Sequence, residues 1–516
     1  MKLKREILRL ALPSILAGIT VPLVGMVDIA VVGHLGGTGG VSGAALIGGI
    51  SIGTMLFDLL YWNFAFLRAG TGGLTAQAYG RQMADPVGHD APVMPGSDRA
   101  SAALNAILAR ALRIALLSAL VLILLQWVVV KAAFLMVHCS PEVQALATRY
   151  FYIRIWAAPA TLSLFAFKGW FIGLQDSVRP MTADLLVNGL NIVLSVALGF
   201  GLMGLPALGF SGVALGTVLA QWSGFAYSLV AARRRYGFAP QLNPLTLKRL
   251  RKNSKQNFLT VFKETADNQR VSQQGIEADG GSGQAEGGSF FTLNRDLFLR
   301  SVGMIAVYIG FTVLSARYGD LVLAMSTILM KLLMVFSYFT DGFAYAGEAL
   351  TGRFIGEGSE EGVKSTVRDT YLLTLGVMLL FMLAYGLGGT PLLRLMTSDQ
   401  SVVEAGKAYL PWLLLMPLIG CPAFVWDGIF IGATASKDLR NSTLLCAVGF
   451  FATWFAGLAI LNPLQPAMAL HLLMGAYFMH LAVRSAYLTL RYKGAVLSPL
   501  SRPTPSSGQN PGQNQP

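Results

Sequence analysis

Val21-Pro22-Leu23-Val24-Gly25-Met26-Val27-Asp28-Ile29-Ala30-Val31-Val32-Gly33-His34 lies inside a first apolar segment that runs from about residue 7 to 34. The segment exceeds the ~20 apolar residues needed to cross a hydrocarbon core. After Glu6 its only acidic residue is Asp28. An ionisable group at membrane depth costs roughly 2.5–3.5 kcal/mol on insertion scales, which makes Asp28 a functional candidate. The bland alternative is a neutral acid hydrogen-bonded to a neighbouring helix. Pro22 removes one backbone donor and is expected to bend this helix.

The rest of the chain repeats the pattern. Of 516 residues 54% are hydrophobic and 13% charged, against about 25% charged in soluble domains. Twelve apolar segments follow one another, at about 7–34, 41–66, 103–128, 145–174, 181–203, 207–232, 296–317, 321–352, 368–389, 406–433, 441–461 and 466–490. The expected fold is an all-α polytopic membrane protein with twelve transmembrane helices. Lys and Arg gather at the N-terminus, in the loops after even-numbered spans and after the last span, which predicts both termini on the cytoplasmic side. The net charge of +13 is then a topological signal and not a nucleic-acid footprint. Cys139, Cys421 and Cys446 show no paired spacing, so neither a metal nor a redox framework is expected. Walker A and HExxH sequences are absent, which argues against an ATP motor or a zinc hydrolase; no enzyme and no cofactor are expected.

Polar stretches at 82–100 and 235–293 interrupt the pattern and are expected to be largely disordered. The second divides the spans six and six. The predicted organisation is an N-terminal six-helix lobe (1–234), a cytoplasmic linker (235–293), a C-terminal six-helix lobe (294–492) and a disordered tail (493–516). The halves echo each other. Thr75-Ala76-Gln77-Ala78-Tyr79-Gly80 corresponds to Thr351-Gly352-Arg353-Phe354-Ile355-Gly356, and Gly169-Trp170-Phe171-Ile172-Gly173 to Gly428-Ile429-Phe430-Ile431-Gly432. Six spans separate the copies, so the two lobes are pseudo-symmetric about an axis along the membrane normal. Aligning Leu35-Gly36 with Tyr318-Gly319 sets Phe311 opposite Asp28. The carboxylate therefore has no counterpart in the second half.

In span five Asp184, Asn188, Asn191 and Ser195 share one helical face. At ~1.5 Å per residue, Asn191 and Ser195 reach a depth compatible with Asp28. Helix–helix glue is the competing reading for each. A second set lies nearer the cytoplasmic ends: Arg68, Lys168, Asp341, Glu348 and Asp427. The first half supplies the cations and the second the anions, so pairing across the lobes, Lys168 with Asp427 among them, would latch a gate. Pairing within each lobe is the alternative. Asp58 has no evident partner.

Three stretches are the most specific: Phe66-Leu67-Arg68-Ala69-Gly70-Thr71-Gly72-Gly73-Leu74-Thr75-Ala76-Gln77-Ala78, Asp341-Gly342-Phe343-Ala344-Tyr345-Ala346-Gly347-Glu348-Ala349-Leu350-Thr351-Gly352, and Trp426-Asp427-Gly428-Ile429-Phe430-Ile431-Gly432-Ala433-Thr434. With them the chain resembles the multidrug and toxic compound extrusion (MATE) transporters, and the DinF-like group within that family. The resemblance implies a monomeric antiporter in the cytoplasmic (inner) membrane of a prokaryote, exporting amphipathic, often cationic, organic compounds by alternating access. It implies protonation at Asp28, which with Gly33 matches the family's first-helix motif, and a role for Asn191 on span five. Ser195 stands where many relatives carry an Asp. That departure weakens a two-carboxylate sodium site and favours H+ as the coupling ion, with Na+ as the alternative. A lipid-precursor flippase of the same superfamily is the rival reading, and it implies a more cationic cavity.

Overall fold

A computed structural model describes residues 2–35, 43–84, 98–136, 139–238, 282–318, 320–396, 400–461, 465–498 and 500. In the first half the helices are α1 (Lys2–His34), α2 (Gly43–Trp62), α3 (Ala65–Ala84), α4 (Asp98–Leu124), α5 (Gln126–Met136), α6 (Pro141–Arg154), α7 (Ala158–Gly173), α8 (Val178–Phe200) and α9 (Phe210–Tyr236). The second half holds α10 (Ser282–Ala316), α11 (Asp320–Gly356), α12 (Glu360–Met396), α13 (Gln400–Gly406), α14 (Leu410–Gly432), α15 (Ser436–Ile460) and α16 (Pro466–Tyr492). No strand occurs among the described residues. Among the described residues twelve segments are long and apolar enough to cross a membrane. Leu124, Leu387 and Leu490 are each more than 70% exposed, a placement that lipid rewards and water does not.

Span two is one crossing made of two helices. After Trp62 the chain turns at Asn63-Phe64, where the Phe64 amide donates to the Tyr61 carbonyl at 2.9 Å and the Asn63 amide reaches back to Leu59 at 2.7 Å. Side-chain and turn bonds thus meet the backbone groups that the break frees, as a low-dielectric setting requires. Span four is also divided: a 3-10 turn at Ile155–Ala157 precedes α7, whose first turn carries Pro159. Span ten repeats this device with a 3-10 turn at Lys407–Tyr409 before α14. By contrast α1 remains a single helix through both Pro13 and Pro22.

The packing of the first half recurs in the second. α3 lies on α7 as α11 lies on α14; α4 lies on α7 as α12 lies on α14; α8 pairs with α9 as α15 pairs with α16. The repeated glycines explain the closest of these contacts. A Cβ on Gly169 would collide with the carbonyl of Arg68, and one on Gly428 with the carbonyl of Ala344. The two halves then meet where α3 crosses α11. There Gly80 lies on the carbonyl of Arg353 and Gly356 on that of Gln77, a reciprocal contact that places a pseudo-two-fold axis between the helices. α1 belongs to both halves. Its first part packs on α11, where Gly342 makes room for Ala11 and Ile15, and its last part packs on α8, where Val31 meets Gly199.

Three sequence expectations require correction at the edges. The linker 235–293 overlaps α10, which is helical from Ser282 and buries Leu293 and Leu297; residues 239–281 lie outside the described residues. The tail begins with a helical turn, Lys493–Leu497, held by the buried side chains of Val496 and Leu497; residues 501–516 lie outside the description. Of the polar stretch 82–100, α3 takes the first residues and α4 starts at Asp98, with 85–97 outside the description.

The crossings carry a measurable asymmetry. Gly428→Val is expected to lower stability by about 1–3 kcal/mol through overpacking against Ala344. Gly189, with nothing within 4 Å of a built Cβ, is expected to accept Ala with no loss, or a gain of about 0.5–1 kcal/mol. Unfolding of the detergent-solubilised variants, followed by tryptophan fluorescence, checks both; equal effects would contradict the packing described.

Candidate functional site

Asp28 sits in the part of α1 that packs on α8, with 8% of its surface exposed. Ser195 faces its carboxyl group from α8. The Ser195 hydroxyl donates to Asn191 Oδ1 at 3.3 Å, Asn191 Nδ2 donates to Thr217 Oγ1 at 2.9 Å, and Thr217 closes the chain on the Val213 carbonyl at 3.2 Å. All three side chains are buried. Gly216 permits the approach of α9, because a Cβ there would press on the backbone of Leu194 and Ser195. One carboxyl oxygen of Asp28, Oδ1, is buried without a hydrogen-bond partner among the described residues. Asn188 turns to α1 instead and donates to Thr20 Oγ1 at 2.5 Å, about two helical turns before Asp28.

The polar stripe of α8 therefore divides its work. Asn191 and Ser195 join Asp28, Asn188 ties α8 to α1, and Asp184 accepts from Lys168 at 2.6 Å. This last pair lies within the first half. Lys168 does not meet Asp427, as cross-lobe pairing had anticipated, because Asp184 is one short step away on the adjoining helix. Asp427 is held inside the second half by Arg300 of α10 and by Arg484 of α16, whose Nε donates to Oδ1 at 3.0 Å.

One pair within that set of charges does cross the halves. Arg68 Nη1 of α3 donates to Glu348 Oε2 of α11 at 2.9 Å, with the carboxylate fully buried and the guanidinium 4.4 Å over the Tyr345 ring. Gly72 makes this possible: a Cβ there would collide with Glu348 Oε1. Nearby, Gln77 Nε2 donates across the halves to the Gly432 carbonyl at 3.0 Å and to Thr434 Oγ1 at 3.2 Å. Asp341 forms no hydrogen bond or salt bridge among the described residues; Arg68, Lys168, Arg300 and Arg484 are its charged neighbours. Asp58 of α2 has Arg154 and Lys331 as its charged neighbours.

Sequence reading passed over Arg154, Arg300, Arg484 and Thr217. The three arginines satisfy the test that singled out Asp28, a charge inside an apolar segment. Thr217 carries no such signal, since a lone Thr in an apolar helix most often bonds its own backbone.

The MatE family model matches residues 99–197 and 297–452. The DNA damage-inducible protein F of Escherichia coli (strain K12) is 32% identical over 444 residues, which cover 86% of this chain and 84% of that protein. The chain belongs to the MATE family. Within it the chain is DinF-like, and it is a multi-pass membrane transporter, not an enzyme. A probable multidrug resistance protein NorM of Thermotoga maritima is 23% identical, over 62% of this chain and 60% of its own length. Among solved structures, an outward-facing multidrug resistance MATE transporter of the MOP superfamily superposes with a TM-score of 0.72 at 16% identity, covering 97% of both chains. A MATE crystallised with MaD3S gives 0.71 at 17% identity, over 96% of this chain and 97% of the other. At such identities the likeness concerns the MATE fold alone.

Each partner of a buried ion pair leaves the other stranded when removed, at about 3–5 kcal/mol. Arg68→Gln and Glu348→Gln are each expected to destabilise the protein, and the double variant by clearly less than the sum. A thermal double-mutant cycle measures this; a coupling below about 0.5 kcal/mol would mean that the two groups do not depend on each other.

Proposed function

We propose that this MATE protein is a proton-coupled exporter of amphipathic, often cationic, organic compounds. It would act as a monomer in the cytoplasmic membrane of a prokaryote with both termini inside. The observation that carries the coupling is Asp28: a carboxyl group inside α1, nearly buried, with one oxygen unpartnered and Ser195 as its neighbour on α8.

The chemistry follows from what the neighbours can donate. Ser195 has one proton to give, and it points to Asn191. A protonated Asp28 can donate to the free lone pair of Ser195 and leave that chain intact. An ionised Asp28 is acceptor-only and draws the Ser195 proton to itself, which strands Asn191 Oδ1. The protonation state of one carboxyl group thus makes or breaks the first link of a buried hydrogen-bond chain from α8 to α9. Pro22 lies between the part of α1 packed on α11 and the part packed on α8. Bending there would let the second part answer Asp28 while the first stays against the other lobe.

Proton coupling is favoured over sodium because Ser195 stands in place of a second carboxylate and the charged neighbour of Asp28 is a cation, Arg154. Sodium requires several fixed oxygen ligands and compensating negative charge. The six-helix lobes 1–234 and 294–492 would rock about the α3–α11 crossing. The Arg68–Glu348 pair and Gln77 would close the cytoplasmic side; Lys168, Asp184, Asp341 and Asp427 would shape the cavity floor above them. The acids set among Arg68, Lys168, Arg300 and Arg484, which are Glu348, Asp184, the shared Asp427 and the nearby Asp341, speak for this reading against a flippase of pyrophosphate-linked lipids, which calls for surplus positive charge.

Asp28→Asn is expected to remove efflux driven by a pH gradient in proteoliposomes while leaving the thermal midpoint within a few degrees of the wild type. Wild-type transport by that variant would exclude Asp28 as the coupling group, and transport driven by a sodium gradient alone would exclude proton coupling.

A further inference from the structure

A groove of about 820 Å³ runs along α6 beside the start of α9, away from the central space. This falls in the range of roughly 300–1,000 Å³ typical of small-ligand sites. Gln144, Thr148, Arg149 and Tyr152 of α6 line it with Ser211 of α9. Arg149 is the only charged side chain among the lining residues. It makes no ion pair or hydrogen bond among the described residues, although Arg154, one turn further along, is packed among Tyr150, Thr54 and Phe57. The Ser211 hydroxyl is buried and also lacks a partner. The groove therefore gathers unanswered hydrogen-bond donors around one permanent cation.

Its depth identifies what can answer them. From Gly173, at the other end of span four, Arg149 lies ~36 Å along the helix at 1.5 Å per residue. That is just beyond a hydrocarbon core of ~30 Å, at the level of lipid headgroups. Below Arg149 the same face continues through Ile153 to Trp156, which is 57% exposed. Trp222 of α9, 41% exposed, donates its indole N–H to the Trp156 carbonyl at 3.1 Å. A cation, then a Tyr, then exposed Trp rings reproduce the order headgroup, interface, acyl chain. Guanidinium is the side chain best matched to a phosphate diester.

We propose that this groove is a binding site for an anionic glycerophospholipid of the phosphatidylglycerol type, its phosphate against Arg149 and its acyl chain along Ile153 and Trp156. One cation with no protein carboxylate in the lining matches one net negative headgroup. With both termini inside, as proposed above, the groove would face the outer leaflet; the site itself does not rest on that orientation. Native mass spectrometry of the full chain, with thermal unfolding in neutral detergent, tests it. Added phosphatidylglycerol is expected to bind the wild type at one copy and to raise its midpoint. Phosphatidylcholine, inorganic phosphate and glycerol 3-phosphate are expected not to match it. Arg149→Gln should weaken phosphatidylglycerol binding about tenfold, the loss of ~1.4 kcal/mol, and Arg149→Lys should restore part of it. Should Arg149→Gln fold poorly, the pair Gln144→Ala and Thr148→Val is expected to weaken the same lipid. Undiminished lipid binding by these variants, equal binding of phosphatidylcholine, or an equal shift with inorganic phosphate would overturn the proposal. None of these readouts depends on proton coupling.

Discussion

A charge inside a membrane has no water to return to, so each one must meet an opposite charge or a set of hydrogen-bonding groups supplied by the protein. The arrangement of this transporter can be read as the answers to that constraint. Lys168 and Asp184 answer each other within the first half. Arg300 and Arg484 share Asp427 within the second. Arg68 and Glu348 do so across the halves. The first two pairs can persist through any relative movement of the lobes. The third can persist only while α3 and α11 stay crossed, which makes it the pair that a rocking motion must break. Asp28 has no ion pair among the described residues: Ser195 faces it and Arg154 is its charged neighbour, and a carboxyl group so placed is readily changed by a proton.

The repeat explains why the cross-lobe pair can exist at all. Gly72 and Glu348 occupy equivalent places in the two halves. The backbone crossing is symmetric, as the reciprocal contacts of Gly80 with Arg353 and Gly356 with Gln77 make plain. On that symmetric frame a glycine in one half leaves the space that a carboxylate from the other half fills. The same broken symmetry appears in span one and its counterpart. Phe311, the equivalent of Asp28, is fully buried against Tyr477 and carries no polar group. A duplicated scaffold supplies the two-lobed frame, and single substitutions at equivalent positions supply direction.

Much of this was legible in the residues. Apolar length and the placement of Lys and Arg revealed the spans, because bilayer thickness is a one-dimensional rule that a sequence can satisfy by itself. The spacing of Asn191 and Ser195 revealed a polar face, and depth along two helices brought that face to the level of Asp28. The partner of Lys168 was not legible. Asp184 and Asp427 are both acidic and both near the ends of their spans, and only helix rotation decides between them. Arg300 and Arg484 lay in apolar segments and were open to the same reasoning as Asp28. Thr217 was not, since nothing in its own span sets it apart.

The sequence by itself determined the number of spans, their duplication and which residues would be costly to bury, because these depend on composition and order along the chain. Tertiary structure decided which costly residues answer one another. That choice depends on how each helix is rotated and how closely two backbones approach, to within the length of a side chain. Gly72 beneath Glu348 and Gly216 beside Ser195 set those approaches, and no pattern within a single helix states which neighbour a glycine will admit.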